Sequence, residues 1–101
     1  MKKKPTAEIT TPELKSARND IDKIDRQIAL LVGQRLIKTK QIFLLKTALK
    51  IKLIDRKRET AVQNTYYKIL KAKATRPSIK ALAISIVTVS PLYPKKITKQ
   101  R

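Results

Sequence analysis

The sequence predicts an all-α protein: a three-helix chain with a very long first helix that pairs with a second copy into an intertwined homodimer. Three observations predict it. An apolar seam with alternating steps of three and four runs Leu14, Ala17, Ile21, Ile24, Ile28, Leu31 and then Ile42, Leu45, Leu49, a coiled-coil-like period. Thr11-Pro12-Glu13 opens it as a helix opens, with Thr as N-cap, Pro at the first helical position and an acid in the first turn. The resulting helix is also too long for a small monomer. About 38 residues at 1.5 Å each span roughly 57 Å, against a radius of gyration of ~13 Å for a compact 100-residue domain. Another chain must therefore cover part of the seam.

The elements follow in order. The first helix runs from about residue 11 to about 49. Gly33 weakens it locally by roughly 1 kcal/mol relative to Ala, too little to end so long a pattern. A break follows over residues 50–54. Asp55 then N-caps a second helix to about Lys73, with an apolar stripe of Val62, Tyr66 and Ile69. Residues 74–78 read as a loop. The third segment spans Ile79 to Ser90 and is stopped by Pro91 and Pro94. Its run Ile84 to Val89 alternates and is β-branched, and taken alone it reads as a strand. A lone strand has no partner here, so a third helix is predicted. The organisation is a disordered basic tail at 1–10, a helical domain at 11–94 and a basic tail at 95–101.

Composition narrows the chemistry. The 101 residues make one small domain. Without Cys or His, a disulfide framework, a Cys/His metal site and a Ser-His or Cys-His nucleophile pair are excluded. No apolar h-region follows the basic start and no window reads as a transmembrane helix, so a soluble, cytoplasmic protein with no membrane partner is expected. Lys plus Arg number 25 against 7 Asp plus Glu, a net charge of +18. The balance is uneven: residues 1–30 carry a net +2 and residues 31–101 a net +16. Such a charge predicts nonspecific nucleic-acid binding at low salt. There is no recognised nucleic-acid motif and no interleaving of stacking aromatics.

Arg35 interrupts the seam, and a charge there needs a partner. Lys46 lies eleven residues on, about 20° past three full turns, so the two share a face. Arg18 lies seventeen residues before Arg35, roughly 100° off that face. Structural salt bridges, or aliphatic stems reaching to water, are the bland reading of these cations. Downstream of residue 30 the two acids are Asp55 and Glu59, and with Arg58 they fall at i, i+3 and i+4 of one helix face. They read either as a cap and a first-turn acid or as acceptors for hydroxyl groups beside a guanidinium fork. Arg35, Lys46 and Arg58 around one cavity would suit a dianion. No nucleophile stands among them, so any catalysis would be positional and electrostatic.

The run Leu14-x-x-x-Arg18-x-x-Ile21-x-x-Ile24-Asp25, then Ile28-x-x-Leu31, Arg35, Lys46 and Asp55-x-x-Arg58-Glu59, resembles the all-helical AroQ class of chorismate mutases over roughly residues 13–62. The resemblance implies an interlocked homodimer that rearranges chorismate to prephenate on the way to Phe and Tyr, with no cofactor and no metal. It implies that Arg35 and Arg58 bind the substrate carboxylates and that Arg18 joins them from the other subunit. Lys46 would meet the ether oxygen, and Glu59 and the neighbourhood of Asp55 the ring hydroxyl. The family's third helix supplies a Ser and, four residues later, a Gln or Glu. With one residue deleted near Thr75, Ser90 matches the Ser and Pro94 the Gln position. Without the deletion, Pro91 and Lys95 fall there. The alternatives are an isochorismate–pyruvate lyase of the same fold, an inactive or altered member serving as an interaction or regulatory module, and a basic polyanion-binding helical protein.

Overall fold

The structure is a computed structural model that describes residues 11–94. The two expected tails, and Lys95 with them, lie outside the described residues. Three helices account for the described fold: α1 (Pro12–Leu49), α2 (Arg56–Leu70) and α3 (Arg76–Thr88). The chain divides into two units, one ending at Gln34 and the other beginning at Arg35, and each has its own character.

In the first unit α1 starts as expected. The Thr11 hydroxyl accepts from Leu14 N–H at 3.1 Å, which satisfies an orphan donor of the helix start, and the Thr11 carbonyl accepts the first intrahelical bond from Lys15 N–H at 3.0 Å. Every residue from Thr11 to Leu31 is exposed, including Leu14, Ile21, Ile24, Ile28 and Leu31. Gly33 leaves α1 uninterrupted.

The second unit holds the core. Phe43 of α1, Val62 of α2, and Ile79 and Ala83 of α3 are buried. Ile79, Ala83, Ile86 and Ser90 recur at three to four residues and are buried or half-buried. That helical period explains why the β-branched run folds as a helix: one face packs against α2 while Ile84 and Val89 stay exposed. Within Arg35–Leu49 the packed face of α1 is Arg35, Leu36, Thr39, Phe43 and Lys46. The seam residues Ile42, Leu45 and Leu49 lie on a neighbouring face and are exposed. Ile69, expected in the α2 stripe, is exposed as well, whereas Val62 is buried and Tyr66 half-buried.

The connections depart modestly from expectation. α1 closes in a Schellman motif: Lys50 N–H donates to the Thr47 carbonyl at 3.2 Å and Ile51 N–H to the Lys46 carbonyl at 2.8 Å. This puts Lys50 at φ 58°, the only positive φ at a non-glycine residue among those described. α2 stops at Leu70 rather than near Lys73, because the Leu70 carbonyl is taken by Lys73 and Ala74 N–H groups in a closing turn. α3 starts at Arg76 rather than Ile79. Thr75 is its N-cap, accepting from Ser78 N–H at 3.4 Å, and Pro77 sits in the first turn, where its missing N–H costs nothing. The expected loop at 74–78 is therefore mostly helix. At the other end α3 stops at Thr88, before the prolines, so Ser90 lies in a turn and not on the helix.

Candidate active site

Arg35 and Lys46 sit on the packed face of α1, both half-buried. Arg35 Nη1 donates to the Ile86 carbonyl at 3.2 Å. Ile86 belongs to the last turn of α3, whose carbonyls have no partner within the helix, so the guanidinium caps that end and meets its negative dipole. Lys46 Nζ donates to the Leu53 carbonyl at 3.2 Å. The two cations thus bond carbonyl oxygens, and the salt bridges of the bland reading do not form. Among the described residues the ion pair is elsewhere, between Arg56 and Glu59.

The Asp-x-x-Arg-Glu segment forms the start of α2. Asp55 holds an extended backbone, its Oδ1 accepts from Arg58 N–H at 3.0 Å and its carbonyl from Glu59 N–H at 3.0 Å. The cap reading of Asp55 therefore holds, and Arg58 is placed by the same cap with its side chain exposed. Glu59 is half-buried and uses both oxygens. Oε1 accepts from Arg56 Nη1 at 3.2 Å and Oε2 from the Tyr93 hydroxyl at 2.6 Å. Burial first, then the hydrogen bond to Glu59 and its negative charge, push the Tyr93 phenol above its ordinary value, with the Arg56 cation opposing. Ser90 is buried. Its Oγ accepts from Leu92 N–H at 3.1 Å and its carbonyl from Tyr93 N–H at 3.0 Å.

These residues are divided among three concavities. Lys46 and Asp55 line one of about 330 Å³ with Lys52, Arg56 and Lys57. Glu59 lines one of about 280 Å³ with Tyr93, Arg56, Val87 and Thr88. Ser90 lines a third of about 380 Å³ with Leu36, Ile37, Pro91 and Leu92. Arg35 and Arg58 line none of these three, and Arg18 is an exposed residue of the first unit. Sequence reasoning missed Tyr93. Its only signal was an aromatic standing between two prolines in an otherwise basic terminal stretch of a chain with three tyrosines.

No helix among the described residues is long and apolar enough to cross a membrane. No curated protein and no solved structure matches the chain. The family model described as "Chorismate mutase type II" matches residues 17–97, a span that takes in Arg18, Arg35, Lys46, the α2 cap and Ser90 together. With three helices, the first very long, and a match over most of its length, the chain belongs to the type II chorismate mutases, whose reaction is an isomerisation.

Proposed function

We propose that the protein is itself an active chorismate mutase, working as an intertwined homodimer with two shared sites and no cofactor. The observation that carries the reading is that Arg35 and Lys46 spend their charged ends on backbone carbonyls. A carbonyl accepts a hydrogen bond without neutralising the cation, so this face of α1 keeps two positive charges for a dianionic substrate. The seam of α1, left exposed at Leu14, Ile21, Ile24, Ile28 and Leu31, supports the dimer.

The Claisen shift breaks a C–O bond while a C–C bond forms within one molecule. It needs no nucleophile, and the protein contributes by folding the substrate into a near-attack conformer and stabilising charge on the ether oxygen. In this reading Arg35, Arg58 and the partner subunit's Arg18 bind the two carboxylates, with Ser90 beside them. Lys46 meets the ether oxygen. Glu59 accepts from the ring hydroxyl, and Asp55, whose Oδ1 is committed to the α2 cap, keeps Oδ2 for it.

The test is the loss of chorismate with purified protein. Lys46→Ala should lower kcat on the order of 10²-fold or more while moving KM less, as loss of an oxyanion-type donor does. No turnover by the parent protein ends the reading. An effect of Lys46→Ala confined to KM would make Lys46 a binding cation only.

A second reading is favoured by one observation. Lys46, Lys52, Arg56 and Lys57 surround one concavity whose acid, Asp55, is engaged as a cap, a setting that suits a polyanion. DNA affinity should collapse with rising salt, whereas turnover should survive moderate salt. The opposite ranking favours the polyanion.

A further inference from the structure

Five residues after the end of α3 the chain has turned back on α2. Ser90 builds that turn by accepting from Leu92 N–H through its hydroxyl and from Tyr93 N–H through its carbonyl. Pro91 and Pro94 narrow the backbone on either side of Leu92 and Tyr93. The prolines therefore do more than stop a helix, because they stiffen the segment that delivers the Tyr93 ring to Glu59. The 2.6 Å contact has the length of an O–H donor on a carboxylate, among the stronger hydrogen bonds a protein makes. Arg56 holds the other oxygen at 3.2 Å, so both Glu59 oxygens are anchored from within the chain.

A carboxylate offers roughly four lone-pair positions, and two of them are taken here. We infer that Tyr93 is a positioning residue of the site: its hydroxyl fixes the Glu59 carboxylate so that the remaining lone pairs of that carboxylate are aimed for a substrate hydroxyl. The inference rests on the chorismate mutase reading and deepens it, since it assigns a role to a side chain delivered by the turn after α3. The surroundings are consistent. Val87 and Thr88 of α3 bring no charge to the concavity, and the charged groups facing the phenol are Glu59 and Arg56 of α2. Burial and the Glu59 charge both keep the phenol protonated, hence a donor, beyond its ordinary value of 10.0.

Tyr93→Phe removes the hydroxyl and keeps the ring. Turnover of chorismate should fall roughly tenfold in kcat with KM changed less than about twofold, the pattern of a lost interaction that matters in the transition state. Tyr93→Phe made on top of Glu59→Gln should add little, because the two act as one unit. Ultraviolet titration of the phenols gives a readout independent of activity: the transition absent from Tyr93→Phe should move to lower pH in Glu59→Gln. Three results overturn the inference while leaving the reading in place: undiminished kcat in Tyr93→Phe, fully additive effects in the double variant, or a fall in KM with faster turnover. The last would mean that the phenol occupies the substrate's own place. No turnover by the parent protein would remove the reading and this inference together.

Discussion

Residues 11–31 and residues 35–94 contain the same kind of amphipathic helix and treat its apolar side in opposite ways. In the first stretch Ile28 is 52 % exposed, and so, to varying degrees, is every other seam residue. In the second, Ile79 is 2 % exposed and packs with Val62, Ala83 and Phe43 in one small core. The difference lies in what the chain can reach: the later part of α1 has one face buried or half-buried, at Arg35, Leu36, Thr39, Phe43 and Lys46, with Arg35 bonded to the Ile86 carbonyl of α3, while its seam face is uncovered even there, at Ile42, Leu45 and Leu49. Charge divides along nearly the same line, a net +2 over residues 1–30 and +16 over 31–101. In the proposed homodimer, the stretch that would meet a second copy is the one where self-repulsion is weak, while most of the cations assigned to substrate in that proposal lie in the strongly basic remainder.

The largest effect that would break this contrast is at the seam. Ile28→Asp should abolish the dimer, because a carboxylate in an apolar interface is desolvated without a partner. Sedimentation at micromolar concentration should fall from roughly 23 kDa, the mass expected of a symmetric pair, and helicity should drop with it. A parent protein that sediments as a well-folded monomer would show instead that the exposed seam is a solvated face.

An exchange between the two regions sharpens the contrast. Arg18 belongs to the first unit and Arg35 to the second. Arg18→Ala and Arg35→Ala homodimers should each be nearly inactive. After the two are unfolded and refolded together, half of the dimers are mixed if pairing is random. Each mixed dimer has one doubly damaged site and one intact site when sites are shared, so roughly a quarter of wild-type activity should return. No recovery, with mixed dimers present on native gels, means that Arg18 serves its own chain.

The smallest effect is at the end of α1. Lys50 holds a left-handed conformation that glycine adopts without a Cβ penalty. Lys50→Gly should raise stability by roughly 0.5–1 kcal/mol in denaturant titration. A loss of stability would show that the Lys50 side chain makes a contact in the assembled protein worth more than the strain.

Much of this was legible in the residues. The bounds of α1 and the Asp55 cap follow from local chemistry, where a capping side chain or a period of 3.6 acts within one turn. The end of α2 and the start of α3 were displaced by three residues because Ala72 to Arg76 give weak signals and the Thr75 cap competes with Pro77 as punctuation. Arg35 was known to need a partner, but a charged fork satisfied by a carbonyl fifty-one residues away leaves no mark in spacing. The Tyr93–Glu59 contact was invisible for a related reason. Pro91 announces that a helix ends, and nothing local says in which direction the chain then turns.

The Schellman closure of α1 makes one residue answer to the linker twice, because the Lys46 carbonyl is held by Ile51 and its ammonium by Leu53. A single inserted or deleted residue there would shift both grips at once, so a change in an exposed segment would act on the chemistry like a substitution in the site. The turn between α2 and α3 has no such double duty, since its closing bonds run from Lys71 N–H to the Tyr67 carbonyl and from Lys73 and Ala74 N–H to the Leu70 carbonyl, and none involves a residue of the candidate site. Lineages of this family should therefore drift in length at that second turn and stay constant at the first, a pattern that aligned relatives would display.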